Sequence, residues 1–405
     1  MGILINSLGV IRLRSIVSIV KVINGYVYEA VSKAIDLIGG ISKYVGKGDR
    51  VVVKPNLTRA TNKPHICTSP EVVAAVIKLC NDAGAKEVIV AESSPIGVDT
   101  EKAFEISGIK SVATKMGARI LDLRKCRFVK IPIPRGKVLR EVEIAEPILN
   151  ADALINVPKM KTHYGCTITC ALKNMKGVIS DLSKRIMHRA GIKRAIAELN
   201  TVIKPTLTIV DGIICMEGLG PVDGDPIRMD LVIAGEDPLA IDSICARVMG
   251  FNPEEIEVLR YAYELGIGAF KPHEIEVVGE ELERVVRRFK PPPSDLREYF
   301  KLAGIYVKNA CSGCISTLII ILNTFKEEGI LDKIKEYYIV TGSINNIPKD
   351  AEGRKIVLLG NCTSKFKSLG LFIPGCPPRL GLAIPVLKMG RLVDKYEVYL
   401  EKYYT

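Results

Sequence analysis

Residues 50–57 read RVVVKPNL, residues 69–84 read SPEVVAAVIKLCNDAG, and residues 86–93 read KEVIVAES. Arg50–Lys54 is a short apolar run of β-branched residues following the turn Gly46-Lys47-Gly48-Asp49, which predicts a buried strand. Ser69 is suited to cap a helix and Pro70 to occupy its first turn. The periodic residues run on to Asp82, and Gly84 supplies the stop. Glu87–Ala91 is a second apolar strand. Strand, helix and strand at this spacing predict a parallel-sheet α/β fold.

The same theme extends in both directions. A first block spans about 20–125 and opens with a helical period over Tyr26–Ile38, ended by Gly39-Gly40. A second block spans about 150–280. Its predicted strands are Ala153–Val157, Leu207–Val210 and Leu231–Ala234, and its predicted helices are Ile192–Val202, Pro238–Met249 and Pro253–Leu265. Arg127–Glu143 alternates and carries Pro132, Pro134 and Gly136, as a β-hairpin flap would. Lys290-Pro291-Pro292-Pro293-Ser294-Asp295 reads as a linker. It separates a region 1–290 from a smaller α/β region 297–405. The latter holds a helix Ile315–Glu328, strands Tyr338–Val340 and Ile356–Leu359, and a helix after Pro378.

Composition narrows the function. The chain of 405 residues is 48% hydrophobic and 25% charged, ordinary for a globular protein. No apolar run approaches the length of a membrane span. Met1–Val22 is broken by Arg12, Arg14 and Lys21, which suits one or two strands rather than a signal peptide, so a cytoplasmic location is expected. The net charge of +12 comes from scattered residues, without Trp or an aromatic-interleaved basic stripe, so no dedicated nucleic-acid surface is expected. Abundant Lys, Arg, Glu, Ile and Val resemble thermophile usage.

Eleven cysteines do not space as a disulfide framework. Cys80, Cys126, Cys215 and Cys245 stand singly, as small core residues do. Cys166 and Cys170 are four apart, which on a helix would place both thiols on one face beside Lys161 and His163. Four others lie where an α/β chain turns: Cys311-Ser312-Gly313-Cys314, Gly360-Asn361-Cys362, and Pro374-Gly375-Cys376-Pro377-Pro378. Four converging thiolates suit a [4Fe–4S] cluster or Zn2+. The sequence pieces CxGC, GxC and PGCPP resemble the cluster-binding subunit of respiratory complex I and the small subunit of nickel–iron hydrogenases. That resemblance implies a [4Fe–4S] cluster on Cys311, Cys314, Cys362 and Cys376, with Zn2+ as the alternative.

Three further segments begin at predicted strand ends, where open α/β sheets bind ligands. They are Lys54-Pro55-Asn56-Leu57; Pro158 to His163 with Lys173-Asn174-Met175-Lys176-Gly177; and Asp211 to Pro221 with Asp242 on the following helix. Lys54, Asn56, Lys159, Thr162, Lys173, Asn174 and Lys176 offer cations and polar donors to a phosphate or carboxylate. Asp211, Glu217 and Asp242 could balance those charges, orient a lysine or hold a divalent ion, and Glu217 and Asp242 are counted with the substrate-binding candidates. His163, Lys161 and Asp211 are the candidates for proton transfer.

These pieces, KPNL, AES, KMKTH, LKNMKG, DGIICMEGLGP and LAID, resemble in order the uncharacterised family called domain of unknown function 362. The resemblance implies no activity. Many members carry ferredoxin-like CxxCxxC runs, and this chain has its different C-terminal cysteine set instead. No GxGxxG follows the first strand, so no nicotinamide site is expected, and a flavin is neither indicated nor excluded. The leading expectation is an iron–sulfur oxidoreductase or electron-transfer enzyme acting on a small anionic ligand, with a possible redox partner protein. The alternatives are a lyase or isomerase using the cluster as a Lewis acid, and a non-enzymatic carrier or scaffold. The oligomeric state is left open.

Overall fold

The computed structural model describes residues 3–6, 9–12 and 14–391. Parts of the expected N-terminal strands (Met1, Gly2, Ser7, Leu8 and Leu13) and the last residues of the 297–405 region lie outside them. The chain divides into two compact units, Met1–Pro292 and Pro293–Thr405. Among the described residues no helix is long and apolar enough to cross a membrane.

The first unit is built on a ten-stranded, mostly parallel sheet. Its central order is Ile275–Gly279, Ser15–Lys21, Asp225–Gly235, Leu207–Glu217, Ala153–Val157, Arg50–Pro55, Glu87–Glu92 and Arg119–Asp122. The half from Leu207–Glu217 to Arg119–Asp122 is parallel throughout. Asp225–Gly235 runs antiparallel to both of its neighbours, a departure from the purely parallel expectation. The cause is a reversal at residues 218–224, which returns the chain beside the strand it has just left.

Period-two alternation explains why Val51, Val52 and Val53 are all buried. Val52 and Ile89 pack into the core on one side, while Val51, Val53, Val88 and Val90 pack into the core on the other. Each such side chain contributes roughly 1.5–3 kcal/mol when fully buried. The Pro70–Asp82 helix covers one side through Val72, Val73, Val76, Leu79 and Cys80. The flap is a hairpin of Phe128–Pro132 and Glu141–Ala145, as its alternation predicts. Its turn is gripped by buried Glu198, which accepts the backbone N–H groups of Lys137, Val138 and Leu139.

Two segments expected to be loops are strands. Leu207–Glu217 continues past Asp211-Gly212, and Lys159–His163 lies parallel beside it. The Ile213-Ile214-Cys215-Met216 run has the apolar, β-branched character that favours extension, which outweighs the glycine at 212. Cys166 and Cys170 likewise do not share a helix: Cys166 lies in a turn and Cys170 follows the strand Thr167–Thr169.

The second unit has a four-stranded parallel sheet, ordered Ile305–Val307, Tyr337–Thr341, Lys355–Leu359 and Leu371–Ile373. The first and last of these short strands were not legible from hydrophobic period alone. Helix Ser312–Glu327 buries Leu318, Ile321, Leu322 and Phe325. A second helix, Leu380–Met389, buries Leu382, Ala383, Val386 and Leu387.

Candidate functional site: a lysine-rich centre and a cysteine-bearing edge

Lys54 ends an inner strand and is fully buried, so its ammonium must find acceptors. It donates to Glu92 Oε2 at 2.7 Å, to the Pro55 carbonyl at 2.8 Å and to Asn174 Oδ1 at 3.2 Å. Burial is the first cause of its lowered pKa, with Glu92 opposing. Asn174 Oδ1 also accepts from Asn56 Nδ2 at 2.9 Å, while Asn174 Nδ2 donates to Asn156 Oδ1 at 2.8 Å. Asn56 Oδ1 is buried with no hydrogen-bond partner. Gly177 lies flat against the ion pair: an added Cβ would stand 1.9 Å from Glu92 Oε1 and 2.6 Å from Lys54 Nζ.

Residues 159, 161 and 163 alternate along one strand, so their side chains share a face. Lys159 sits in register with Asp211 on the neighbouring strand and donates to its Oδ2 at 2.8 Å. Both side chains are wholly buried, and Asp211 also accepts the N–H groups of Ser69 and Ile213. Asp211 is thus the counterion of Lys159 and the anchor of the Pro70 helix start. Thr162 faces the other way and holds the Gly218 carbonyl at 3.0 Å.

Lys161 is fully buried and donates to the Ile66 carbonyl at 2.8 Å and to Thr58 Oγ1 at 3.1 Å. It has no salt bridge to a described carboxylate. Burial pushes its pKa down to about 7; Lys173 and Lys159 add to the lowering, while Cys67 and Glu92 oppose it. His163 accepts the Gly165 N–H at Nδ1, 2.9 Å, and stacks on Tyr164. Burial, then the charges of Lys173, Lys176 and Lys161, hold its pKa well below the usual histidine range. The imidazole is therefore neutral, and with Nδ1 accepting the Gly165 N–H its proton lies on Nε2, which leaves it a hydrogen-bond donor there.

Lys173 and Lys176 lie on the short helical segments Ala171–Asn174 and Met175–Val178. Burial depresses both, and neither has a salt bridge to a described carboxylate. Lys176 instead meets His188 Nε2. Asp242, fully buried, accepts the N–H groups of Ala171 at 2.6 Å and Leu172 at 3.1 Å. Burial raises its pKa to about 7 against those hydrogen bonds. It positions the turn that bears the lysines and offers no free oxygen to a ligand. Glu217 accepts the Lys290 N–H and pairs with its ammonium.

Sequence reading placed the lysines and asparagines but missed Glu92, Thr58, the Ile66 carbonyl, His188 and Lys184. Glu92 carried a signal, a carboxylate ending an apolar strand. Lys184 donates to the Ser93 and Ser94 carbonyls and to Asp181 from a helix that no motif marked.

In the second unit, three loops meet beyond the C-terminal ends of the parallel strands. Cys311 precedes helix Ser312–Glu327, Cys314 lies in its first turn, Cys362 follows the strand ending at Leu359, and Cys376 follows the strand ending at Ile373. The last two loops are tied by Asn361 N–H to the Gly375 carbonyl and by Gly375 N–H to Asn361 Oδ1. A Cβ on Gly360 would stand 3.2 Å from Cys314 Sγ and 3.3 Å from Pro378. The Cys314 thiol is pushed well above the ordinary range by its hydrogen bond with Cys311 and by burial, with the charge of Cys362 adding to the shift. The eleven cysteines form no disulfide. No three metal-binding side chains among the described residues stand together as a formed site. The four cysteines lie on loops at one edge of this sheet, and Gly360 packs closely against Cys314.

Residues 51–247 match the family described as "Domain of unknown function (DUF362)". A thylakoid-associated protein of Synechocystis sp. is 30% identical over 237 residues, which are 57% of this chain and 72% of that protein. Among solved structures, the lactate racemase apoprotein of Thermoanaerobacterium thermosaccharolyticum aligns over 72% of this chain and 89% of its own, with 12% identity and a TM-score of 0.34. A Thermotoga maritima protein aligns over 59% of this chain and 57% of its own, with 16% identity and a TM-score of 0.34. At that score neither superposition bears on function.

Proposed function

We propose that this chain, which belongs to the DUF362 family, is an enzyme that binds a small carboxylate- or phosphate-bearing substrate between Lys161, Lys173 and Lys176. The carrying observation is an unbalanced set of amines, Lys161 fully buried and Lys173 and Lys176 half-buried. Lys54 has Glu92, Lys159 has Asp211 and Lys184 has Asp181, whereas Lys161, Lys173 and Lys176 have no salt-bridging carboxylate among the described residues. Desolvated charges persist only when paired, and Lys173 acts on both Lys161 and Lys176, so the three amines favour an anion among them. Lys161 supplies the proton-accepting group and His163 donates through Nε2. Asn56 Oδ1 is left to accept from a substrate hydroxyl.

Thermal shift with inorganic phosphate and with phosphorylated and carboxylated metabolites tests this, because a ligand of the native state must raise stability. At least one anion should raise Tm, and the rise should vanish in Lys173→Ala and Lys176→Ala. If no anion shifts the wild-type protein, the reading fails.

For the second unit we propose a [4Fe–4S] cluster on Cys311, Cys314, Cys362 and Cys376, with Zn2+ as the alternative. The convergence of their three loops supports it. A cluster held this way supplies one-electron exchange. The chain's own contribution is to hold the sulfurs, with Gly360 and Gly375 leaving room for their approach and the Asn361–Gly375 bonds fixing two loops together. Iron, zinc and sulfide analysis after anaerobic purification decides it. Stoichiometric zinc without sulfide removes the cluster, and metal retained unchanged in Cys314→Ser removes the assignment.

A further inference from the structure

Lys161 differs from every other buried lysine of the first unit in what surrounds its nitrogen. Lys54, Lys159 and Lys184 each donate to a carboxylate. Lys161 donates to one carbonyl and one hydroxyl, so two of its three possible donor directions are filled by neutral oxygens. Lys173 and Lys159 are near enough to act on the amine, with Cys67 and Glu92 acting in the opposite sense. A desolvated lysine beside other cationic groups is the arrangement that makes the amine a nucleophile.

We propose that Lys161 forms a covalent imine with the carbonyl carbon of a small oxo acid whose carboxylate is held by Lys173 and Lys176. The proposal rests on the anion-site reading above and names the substrate class for it. The nitrogen lone pair of Lys161 attacks the carbonyl carbon, and the carbon–oxygen π pair moves to oxygen, which takes a proton. The resulting carbinolamine then loses its N–H proton and its hydroxyl as water, leaving the C=N bond. No oxidant or reductant is consumed.

The surroundings suit each part. Thr58 Oγ1, 3.1 Å from the amine, is placed to relay a proton to and from the carbinolamine. His163, on the same strand face two residues on, keeps a donor at Nε2 for the departing oxygen, since the Gly165 N–H occupies Nδ1. The lowered pKa of Lys161, about 7, means that a substantial fraction of the amine is unprotonated near neutrality. Lys173 and Lys176 sit on adjoining short helical segments, and Lys173 acts on both Lys161 and His163 while Lys176 acts on His163.

The test uses the full chain, purified with whatever metal it carries. Protein is mixed with pyruvate, glyoxylate or acetoacetate and reduced with borohydride, and the product is analysed by intact mass and peptide mapping. The expected result is one adduct at Lys161 with the mass of the oxo acid less one oxygen, blocked by excess lactate and absent in Lys161→Arg. Because Lys161→Arg could fail to fold, the mapped site in the wild-type protein is itself decisive. Calorimetry with pyruvate and lactate on the same preparation separates two failures. Binding without a trapped adduct, or adducts spread over surface lysines, overturns the imine while leaving the anion site. Absence of binding by every carboxylate and by phosphate overturns the anion site itself.

Discussion

Replacing Lys161 with methionine isolates what it costs the fold to bury that amine. In the unfolded chain the amine keeps its proton up to the ordinary value of 10.5, while in the folded chain it releases it at about 7. Between those values the unfolded chain holds one proton more, so the stability contributed by Lys161 rises with pH across this window and is flat below it. The penalty is therefore greatest at and below neutrality. A displacement of this size is worth roughly 4 kcal/mol at neutral pH. The groups facing the amine, Cys67, Lys173, Lys159 and Glu92, remain in the variant, so their own titrations largely cancel in the difference. Methionine also removes one of the two donors to the Ile66 carbonyl, which keeps the Thr58 hydroxyl, and the donor to Thr58 Oγ1, about 1–3 kcal/mol for a buried group, but that term is independent of pH. Urea denaturation of both proteins, stepped from neutral to about pH 10, should show the wild type gaining roughly 3 kcal/mol on the variant. A flat difference would show that the amine keeps its ordinary proton affinity, and the assignment of Lys161 as a neutral amine would fall.

Asp211→Asn should destabilise the first unit by roughly 3–5 kcal/mol in urea, because it strands the Lys159 ammonium in a wholly buried position. Gly177→Ala should lower stability by about 1–3 kcal/mol, since the new methyl collides with Glu92 and Lys54; a Tm equal to wild type would show that the segment can move aside. Glu198→Gln should loosen the flap turn, and amide exchange at Val138 and Leu139 should speed up about tenfold, equivalent to about 1.4 kcal/mol. Unchanged exchange there would mean that the turn is held by its side-chain packing.

Hydrophobic period and turn residues made the frame of the first unit readable. Ser69-Pro70 and Gly84 bound the helix, and Val51–Val53 and Val88–Val90 alternate between two cores. The reversal of Asp225–Gly235 was hidden, because direction follows from which strand a segment meets and local residues do not encode that. KMKTH read as a loop because four polar or charged residues in five argue for solvent, yet Lys159, Lys161 and Thr162 each find a partner far along the chain. Glu92 was overlooked for the same reason. Its importance lies in contacts with Lys54 and the Leu57 N–H, more than thirty residues away. His163 was legible as a site residue, but its protonation state depends on lysines that only the folded sheet brings near.

The hydrogen bonds that converge on Asn174 join residues 118 and 120 positions apart, and Asp242 reaches across 71 to hold the turn that presents it. No short contiguous fragment therefore contains the lysine cluster in working form. A peptide carrying LKNMKG, or even the whole segment from Lys159 to Gly177, would lack the carboxylates and carbonyls that orient its amines. Transplanting this chemistry to another scaffold would mean moving the sheet's central strands with their spacing intact.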